Sequence, residues 1–452
     1  MLGVIYTILA FILALAVLII VHEFGHYWVA KTVGVKVLRF SIGFGKPLWS
    51  KYIGQDRTEL VVAAIPLGGY VKMLDEMEGD VPEAQRHRAF NRQSILKRTA
   101  IVAAGPIFNF LFAIVAYWIV FMAGIDGIKP VIGKVAQGSI AEHAGFRNGD
   151  ELLTIDGMEV RSWGQHRLYL FRKALDGAVI DFETLDARGA KRAIRIDFAE
   201  IPIEDVDAGF IEKKLGLYGY IPEGPIVGSV EGDPAAAAGL LANDMIVGID
   251  GKKIGNWTEL VDIVSTNPGT EMKFTVLRAD HTININIIPV EMKQDGKMVG
   301  RINIRPKIPM VPDALLVKIR YNPVKALWHG TSQTWSMSIL TLKMLYKMVK
   351  LEVSTKNISG PITIAQYAGY SAQIGIEQFL MFLAVVSISL GILNLLPIPI
   401  LDGGHLLYYV IEAVKGSPVS ENVMHWGQQI GLLVLIGIMV LAFYNDLTRL
   451  FQ

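Results

Sequence analysis

Four long apolar runs constrain the fold of this chain more than any other feature of its sequence. A helix needs about 20 predominantly apolar residues to cross a bilayer. The runs approach or exceed that length over roughly residues 3–30, 99–124, 379–401 and 430–443. We therefore predict a multi-pass α-helical membrane protein with four transmembrane helices. The first run lacks a basic start and an obvious cleavage site, so we interpret it as a retained span and not as a signal peptide.

Composition supports the membrane interpretation and excludes several classes of function. The chain has 452 residues, of which 52% are hydrophobic and only 19% charged, so it is too apolar to be wholly soluble. Its formal net charge of +1 argues against a nucleic-acid partner, which would require a basic face. The absence of cysteine excludes disulfides, thiol catalysis and thiolate metal ligands. Nothing in the sequence implies an oligomer.

The distribution of lysine and arginine predicts how the runs cross the membrane. Residues 31–98 carry twelve of these basic side chains, which favours a cytoplasmic position for this segment. Both chain termini and the long middle region then lie on the opposite side. In a Gram-negative cell this side is the periplasm, and the chain would be an inner-membrane protein whose termini and middle region are periplasmic.

The middle region contains an internal duplication. Ala144-Gly145, Asp150, Asp156-Gly157 and Trp163 recur 94 positions later as Ala238-Gly239, Asp244, Asp250-Gly251 and Trp257. Each copy combines an Ala-Gly turn with a β-like stretch that ends in Asp-Gly, and this pattern resembles tandem PDZ domains. We therefore predict two β-rich PDZ-like domains at residues 125–221 and 222–310. A β-rich spacer without a ligand is the alternative.

An amphipathic pattern follows the second copy. Apolar residues recur at near-helical spacing among lysines between Val324 and Lys350. This pattern predicts an interfacial helix within residues 311–376. The helix could lie on the lipid surface or pack against the repeat domains, and the sequence does not decide between them.

The motif that points most directly to chemistry is His22-Glu23-Phe24-Gly25-His26. Histidines four residues apart share one face of a helix, so both imidazoles can bind one zinc ion. The intervening Glu23 would then act as general base on the water bound to the metal. A pair of interfacial histidines without a metal is the alternative, although ionisable groups in a span usually have a function.

A tetrahedral catalytic zinc needs a third protein ligand and a water. Asp402 follows the third run, which is predicted to end at the same membrane face as His26, and is therefore our preferred third ligand. His405 is the competing candidate. Pro397, Pro399 and the Gly403-Gly404 pair would break the helix here. Irregular backbone at membrane depth is tolerated against protein or a water-filled cavity, which a hydrolase requires.

Together, these motifs resemble the site-2 protease family of intramembrane metalloproteases. The resemblance is carried by the His-Glu-x-x-His motif and by Asn394-x-x-Pro397-x-Pro399-x-Leu401-Asp402-Gly403. It implies one Zn²⁺ per chain held by His22, His26 and Asp402, with Glu23 as catalytic base. It also implies substrate-binding roles for a further set of residues, namely Asn394, Gly68, Gly69, Tyr70, Gly43, Phe44, Gly45, Pro397 and Pro399.

The resemblance completes the predicted organisation of the chain. Transmembrane helices are expected at residues 1–30, 99–124, 377–402 and 427–446. A cytoplasmic-side segment with a membrane re-entrant β-loop occupies residues 31–98, and a cytoplasmic loop occupies residues 403–426. The active site would lie near the cytoplasmic face.

The resemblance also implies the function, an endopeptidase that cuts the transmembrane segments of single-span proteins. Its substrates would be an anti-sigma factor already cut by a periplasmic protease and remnant signal peptides, and the PDZ-like tandem would exclude bulky substrates. The alternative outside enzymology is a PDZ-bearing membrane scaffold with a structural metal. A conventional anchored zinc protease would carry its motif in the soluble middle region, which lacks one.

Overall fold

The computed structural model describes residues 2–202, 205–206, 209–220, 224–279, 281–294, 297–307, 311–350 and 359–450. The chain forms two compact units. The first, which we call the helical unit, comprises Met1–Ile125 and Ile319–Phe451. The second, which we call the β-rich unit, comprises Asp126–Lys318.

The helices of the described residues are α1 (Leu2–Thr32), α2 (Ile95–Ala123), α3 (Ile140–Ala144), α4 (Arg167–Leu175), α5 (Trp257–Ser265), α6 (Pro323–Val349), α7 (Pro361–Ile374), α8 (Ile376–Leu395), α9 (Asp402–Lys415) and α10 (Glu421–Leu450).

The strands are β1 (Val37–Ile53), β2 (Thr58–Met73), β3 (Ile125–Ile128), β4 (Lys134–Val135), β5 (Glu151–Ile155), β6 (Met158–Glu159), β7 (Val179–Leu185), β8 (Lys191–Asp197), β9 (Leu217–Tyr218), β10 (Val227–Val230), β11 (Met245–Ile249), β12 (Lys252–Lys253), β13 (Met272–Arg278), β14 (His281–Ile287), β15 (Val290–Gln294), β16 (Lys297–Arg301), β17 (Ile304–Pro306) and β18 (Leu316–Ile319).

Four helices of the described residues, α1, α2, α8 and α10, are long and apolar enough to cross a membrane. This agrees with the four predicted spans, but two boundaries differ. The helix of the third span ends at Leu395, before Pro397 and Pro399, because a proline disfavours helical backbone in the residue before it. The helix of the fourth span begins at Glu421, well before residue 430.

Small side chains bring the membrane helices close together. Ala10 and Ala14 of α1 lie against Ala368 of α7 and Leu383 of α8 in one buried cluster. Ala113 and Ala116 of α2 contribute in the same way to a second cluster with α8. Lipid tails are as apolar as leucine, so close packing of small residues, and not the hydrophobic effect, drives such association.

The amphipathic helix α6 packs against membrane helices, a contact that the amphipathic pattern alone did not predict. Its Met337 and Leu345 pack against the cluster formed by α2 and α8. Gly330 lets the two backbones approach, because a Cβ there would lie 3.1 Å from Ile114 O. The Trp118 indole N–H of α2 also donates to Pro323 O over 2.9 Å. The helix therefore packs against the membrane helices along much of its length.

The predicted cytoplasmic loop at residues 403–426 also differs from the structure, because most of it is helical. Helix α9 begins at Asp402 and ends at Lys415, with Gly416 in the left-handed conformation as its C-cap. The carboxylate predicted to bind zinc is therefore the first residue of a helix.

Strands β1 and β2 form one bent antiparallel sheet. Residue Ile42 of β1 pairs with both Val62 and Gly69 of β2, while Ser50 pairs with Val61. The two strands therefore fold back on themselves and give the order 49–53, 58–62, 39–42 and 69–72 across the sheet. In the described residues, 69–72 have a strand partner on one side only, so this segment forms an edge.

In the β-rich unit, both copies of the duplicated sequence form the same four-stranded arrangement. The orders are β6-β5-β7-β8 and β12-β11-β13-β14. In each copy the Asp-Gly pair makes the first hairpin turn, with Asp156 at φ 48° and Asp250 at φ 49°. The Oδ1 atoms of these aspartates accept from the backbone N–H of the next strand, at Asp181 and Lys273 respectively.

The conserved spacing of the Ala-Gly turn and the acidic residue has a structural explanation. An arginine joins the two features in each copy: Arg192 donates to Gly145 O and to Asp150, and Arg278 donates to Gly239 O and to Asp244. Arg192 lies directly across the ladder from Thr184, whereas Arg278 is itself 94 positions after Thr184. The first copy therefore makes this contact from β8, whereas the second copy makes it from β13, the counterpart of β7.

Candidate active site

Close contact between α1 and α2 forms the floor of the candidate site. A Cβ on Gly25 of α1 would lie 2.8 Å from Ala104 C. A Cβ on Gly105 of α2 would overlap His26 Nε2 and lie 2.8 Å from His22 Cε1. The absence of a side chain at these two positions lets α2 approach α1 and leaves room for both imidazoles.

Three donor atoms meet above this floor. His22 Nε2 lies 3.2 Å from His26 Nε2 and 3.2 Å from Asp402 Oδ2. His26 Nε2 lies 3.5 Å from the same carboxylate oxygen. We call these three atoms the donor triangle. Among the described residues, they are the only set of at least three His, Asp or Glu side chains close enough to hold a metal.

The donor triangle has the size that zinc requires. Zn–N and Zn–O bonds of about 2.0–2.1 Å in a tetrahedral site place ligand atoms about 3.3 Å apart. The observed edges of 3.2, 3.2 and 3.5 Å match this separation. In the described part of the chain, Asp402 Oδ2 is buried without a hydrogen-bond partner, which fits an atom that would bind a cation.

Local backbone geometry brings Asp402 to this position. Residues 396–401 are not helical, and α9 then begins at Asp402. A Cβ on Gly403 would overlap the carbonyl oxygens of Leu395 and Leu396, and one on Gly404 would overlap Pro399. The two glycines therefore allow α9 to fold back onto the segment that precedes it.

His405, the competing third ligand, does not join the donor triangle. It lies one turn further along α9, with its ring 6.3 Å from that of Tyr408. Both side chains line a cavity of about 810 Å³ together with Arg98 and Glu412, which form an ion pair at 2.6 Å. The structure thus brings Asp402, and not His405, to the two histidines.

Helix α2 supplies a partner to the outer nitrogen of each imidazole. His26 Nδ1 lies 2.8 Å from Ile101 O, and His22 Nδ1 lies 3.1 Å from the Asn109 side-chain amide. Sequence reasoning missed Asn109. A polar residue in the middle of the second apolar run, three positions after Pro106, was the signal that could have identified it.

Glu23 faces the edge of the β1–β2 sheet. A Cβ on Gly69 would lie 2.9 Å from Glu23 Cγ and 2.8 Å from the Ile19 side chain, so the strand lies directly against α1 at this point. The proposed base, the metal ligands of α1 and the edge segment 69–72 are therefore neighbours.

The remaining predicted substrate residues fall into two groups. In the first group, near this edge, the Phe44 and Tyr70 rings stack at 6.2 Å, and a Cβ on Gly68 would overlap Phe44. Gly43 and Gly45 have φ of 93° and 87°, which favours glycine at the bend of β1.

The second group lies at the end of α8. Asn394 is half-buried in the last turn of α8 and Pro397 is exposed just beyond it. Within the described residues, neither hydrogen-bonds to the donor triangle. Pro399 instead packs towards α10, where a Cβ on Gly427 would lie 3.4 Å from the Pro399 side chain.

Comparison with known proteins identifies the family of the chain. The model of peptidase family M50 matches residues 10–438. The regulator of sigma-E protease RseP from Escherichia coli is 42% identical over 455 residues and covers 100% of both chains. A putative zinc metalloprotease from Neisseria meningitidis is 42% identical over 451 residues, or 98% of this chain and 99% of its own length.

Among solved structures, a PDZ domain of an SdrC-like protein from Listeria monocytogenes is 26% identical, with a TM-score of 0.17. It covers 20% of this chain and 93% of its own, and the superposition does not establish a shared fold. The full-length relatives and the family match, in contrast, confirm the resemblance drawn from the two motifs. The chain therefore belongs to peptidase family M50, the family of site-2-type zinc metalloproteases.

Proposed function

We propose that this metalloprotease cuts the transmembrane segments of single-span membrane proteins within the inner membrane. The donor triangle is the observation that carries the proposal, because two of its atoms belong to a candidate span and the third lies just beyond another. A metal held there would act at a site formed by membrane helices. Family membership supplies the reaction type, peptide hydrolysis.

The residues of the site divide the chemistry among them. His22, His26 and Asp402 would hold the zinc, which when bound polarises a carbonyl and lowers the pKa of a coordinated water. Glu23 would take the proton of the attacking water and pass it to the leaving amine. Asn394 would hold the substrate backbone or the developing oxyanion from the end of α8.

The edge segment 69–72 is the proposed binding site for the substrate backbone. A transmembrane helix must unwind locally before it can be cut, and its freed N–H and C=O groups then need partners. An edge strand offers such partners to an added strand. Gly68 and Gly69 would let this segment lie close to Phe44 and Glu23, and the stacked Phe44 and Tyr70 would line the path of the added chain.

A substitution of the base tests the enzymatic proposal. Glu23→Gln should abolish cleavage of a single-span substrate by the purified protein, and a zinc chelator should do the same to the wild type. Glu183→Gln, at an ion pair with Lys191 in the β-rich unit, is the matched control and should cleave normally. Cleavage that survives both Glu23→Gln and chelation would favour the alternative, a membrane scaffold with a structural metal.

The proposed topology places the β-rich unit and both termini in the periplasm and the site near the cytoplasmic face. The twelve basic residues between positions 31 and 98 support it. Because the chain has no cysteine, single introduced cysteines can be probed without background. Glu183→Cys should react with a membrane-impermeant maleimide in spheroplasts, whereas Lys415→Cys should react only after permeabilisation. The reverse pattern would overturn the topology.

The proposed substrates are an anti-sigma factor first cut by a periplasmic protease, and remnant signal peptides. The name of the Escherichia coli relative, a regulator of sigma-E protease, supports the former. The two copies in the β-rich unit, which we propose to be PDZ-like, would exclude substrates with an intact ectodomain. Their identical strand orders support a duplicated module.

A further inference from the structure

The outer nitrogens of the two histidines have chemically different partners. Ile101 O, 2.8 Å from His26 Nδ1, is a carbonyl and can only accept a hydrogen bond. His26 must therefore carry its proton on Nδ1, which leaves Nε2 with a free lone pair directed into the donor triangle. This is the tautomer that a metal ligand needs, and a backbone carbonyl commonly sets it.

His22 needs the same tautomer, but its partner is a side-chain amide, which can donate through its nitrogen or accept through its oxygen. Asn109 Nδ2 lies 3.1 Å from His22 Nδ1. If this N–H donated to the ring, the proton would sit on His22 Nε2, which lies 3.2 Å from both His26 Nε2 and Asp402 Oδ2. A protonated Nε2 cannot bind a metal, so this orientation of the amide is incompatible with a loaded site.

Rotation of the amide by 180° removes the conflict. Nitrogen and oxygen exchange places, and Asn109 Oδ1 then accepts from His22 Nδ1–H. In the described part of the chain, Oδ1 in its present position is buried without a hydrogen-bond partner, so the rotation breaks no hydrogen bond of this oxygen.

The position of Asn109 suits a rigid support. Its side chain is completely buried, with 0% exposure. Its backbone carbonyl accepts from Ser387 Oγ of α8 over 2.9 Å, which ties this turn of α2 to a third helix. The backbone of Asn109 is therefore tied to α8, and its buried side chain contacts His22 of α1.

We propose that Asn109 is a positioning residue, whose amide oxygen accepts a hydrogen bond from His22 Nδ1–H and holds Nε2 towards the metal. The proposal rests on the proposed metal site. With Ile101 O, it makes α2 the helix that orients both histidine ligands, although α2 contributes no ligand itself. Loss of such a partner typically lowers metal affinity by about 10–100-fold.

The test compares zinc affinities, measured by competition with a chelator in the purified full-length protein. Asn109→Leu removes the acceptor while keeping the same branched heavy-atom skeleton, and should weaken zinc binding by about 10–100-fold. Asn109→Asp restores an acceptor and should bind zinc close to the wild-type affinity. Ser389→Ala is the matched control: it removes a hydrogen bond to Val385 O within α8 that involves neither Asn109 nor His22, and should leave zinc affinity unchanged.

Two further measurements distinguish a changed metal site from a general loss of stability. Cobalt(II) absorption at saturation should show a distorted site in Asn109→Leu and a normal one in Ser389→Ala. Thermal unfolding of the metal-free proteins distinguishes a purely structural role of Asn109 from a role in positioning His22. A purely structural role would lower the thermal stability of Asn109→Leu and leave its zinc affinity unchanged. That result would overturn the proposal. If instead His22→Ala retains wild-type zinc affinity, the metal site itself is wrong, which is a different failure.

Discussion

The helical unit and the β-rich unit place their apolar side chains in opposite ways. In α10, Leu433 and Val440 are 70% and 64% exposed, although they belong to a candidate membrane span. In the β-rich unit, Phe274 and Ile246 are completely buried in a compact core. Lipid accounts for the first pattern and water for the second. The helical unit therefore exposes apolar side chains to lipid, whereas the β-rich unit buries them away from water.

Buried carboxylates show the same contrast. Asp446 of α10 accepts from the backbone N–H groups of Gly360, Ile362 and Thr363 at the start of α7, over 2.8 to 3.1 Å. Asp244 of the β-rich unit instead forms an ion pair with Arg278 at 2.6 Å. In the helical unit the positive end of a helix replaces a cationic side chain. Asp402, the proposed metal ligand, has neither kind of partner and faces the two histidines.

The largest effect should follow from removal of that carboxylate. Asp402→Ala should lose nearly all bound zinc and all detectable proteolysis, because two histidines alone do not complete the ligand set. Elemental analysis of the purified protein measures the metal. His405→Ala is the matched control and should keep its zinc. Zinc retained in Asp402→Ala but lost in His405→Ala would reassign the third ligand.

A smaller effect should follow from added volume in the helical unit. Gly105→Ala would place a methyl group against both imidazoles and should reduce zinc content and activity at least about tenfold, since close-packed positions tolerate no extra atom. Gly437→Ala is the control: this glycine also lies in a candidate span, but a Cβ there meets nothing within 4 Å. Equal behaviour of the two variants would contradict the close α1–α2 contact.

Deletion tests whether the β-rich unit acts on selectivity and not on catalysis. Removal of residues 131–306 should leave cleavage of a trimmed substrate near the wild-type rate, because the whole donor triangle lies in the helical unit. It should also permit cleavage of a substrate that still carries its ectodomain, which the intact protein is expected not to cleave. Gel-based cleavage assays with both substrates measure this. Unchanged selectivity would reject the role of a size filter.

The smallest effect concerns local stability within the β-rich unit. Burial alone would raise the pKa of Asp244, but Arg278 and the Leu241 N–H together hold it below its ordinary value. The ion pair therefore stabilises the folded state above the pKa of the unfolded chain, about 3.9, and its contribution is lost as the pH falls through the lower folded-state pKa.

Asp244→Asn should consequently accelerate hydrogen exchange of the β11 amides at neutral pH, with a local cost of about 1 kcal/mol, because Arg278 is 33% exposed and water screens the ion pair. The difference from wild type should shrink at pH values below about 3.9. Asp250→Asn is the control. It removes an exposed charge from the same module, and asparagine tolerates the positive φ of this turn and can still accept from Lys273 N–H. A pH-independent difference for Asp244→Asn would argue against the ion pair as the cause.

The sequence by itself determined the features that depend on spacing along the chain. The four spans could be recognised because apolar length is a local property. His22 and His26 could be paired because residues four apart share a helix face whatever surrounds them. The duplicated module was evident because its turn residues recur at one fixed offset.

Only the tertiary structure decided the features that depend on how helices pack. It brought Asp402 to the histidines and left His405 facing a cavity. The sequence could not decide between these two candidate ligands, because they lie only three residues apart. It placed α6 against α2 and α8 and revealed Gly105 and Asn109 as parts of the site. The physical reason is that contacts between distant residues depend on interhelical distance and rotation. Small side chains and breaks in the helical backbone determine the distance and rotation between helices, and the hydrophobic periodicity of one segment reports neither quantity.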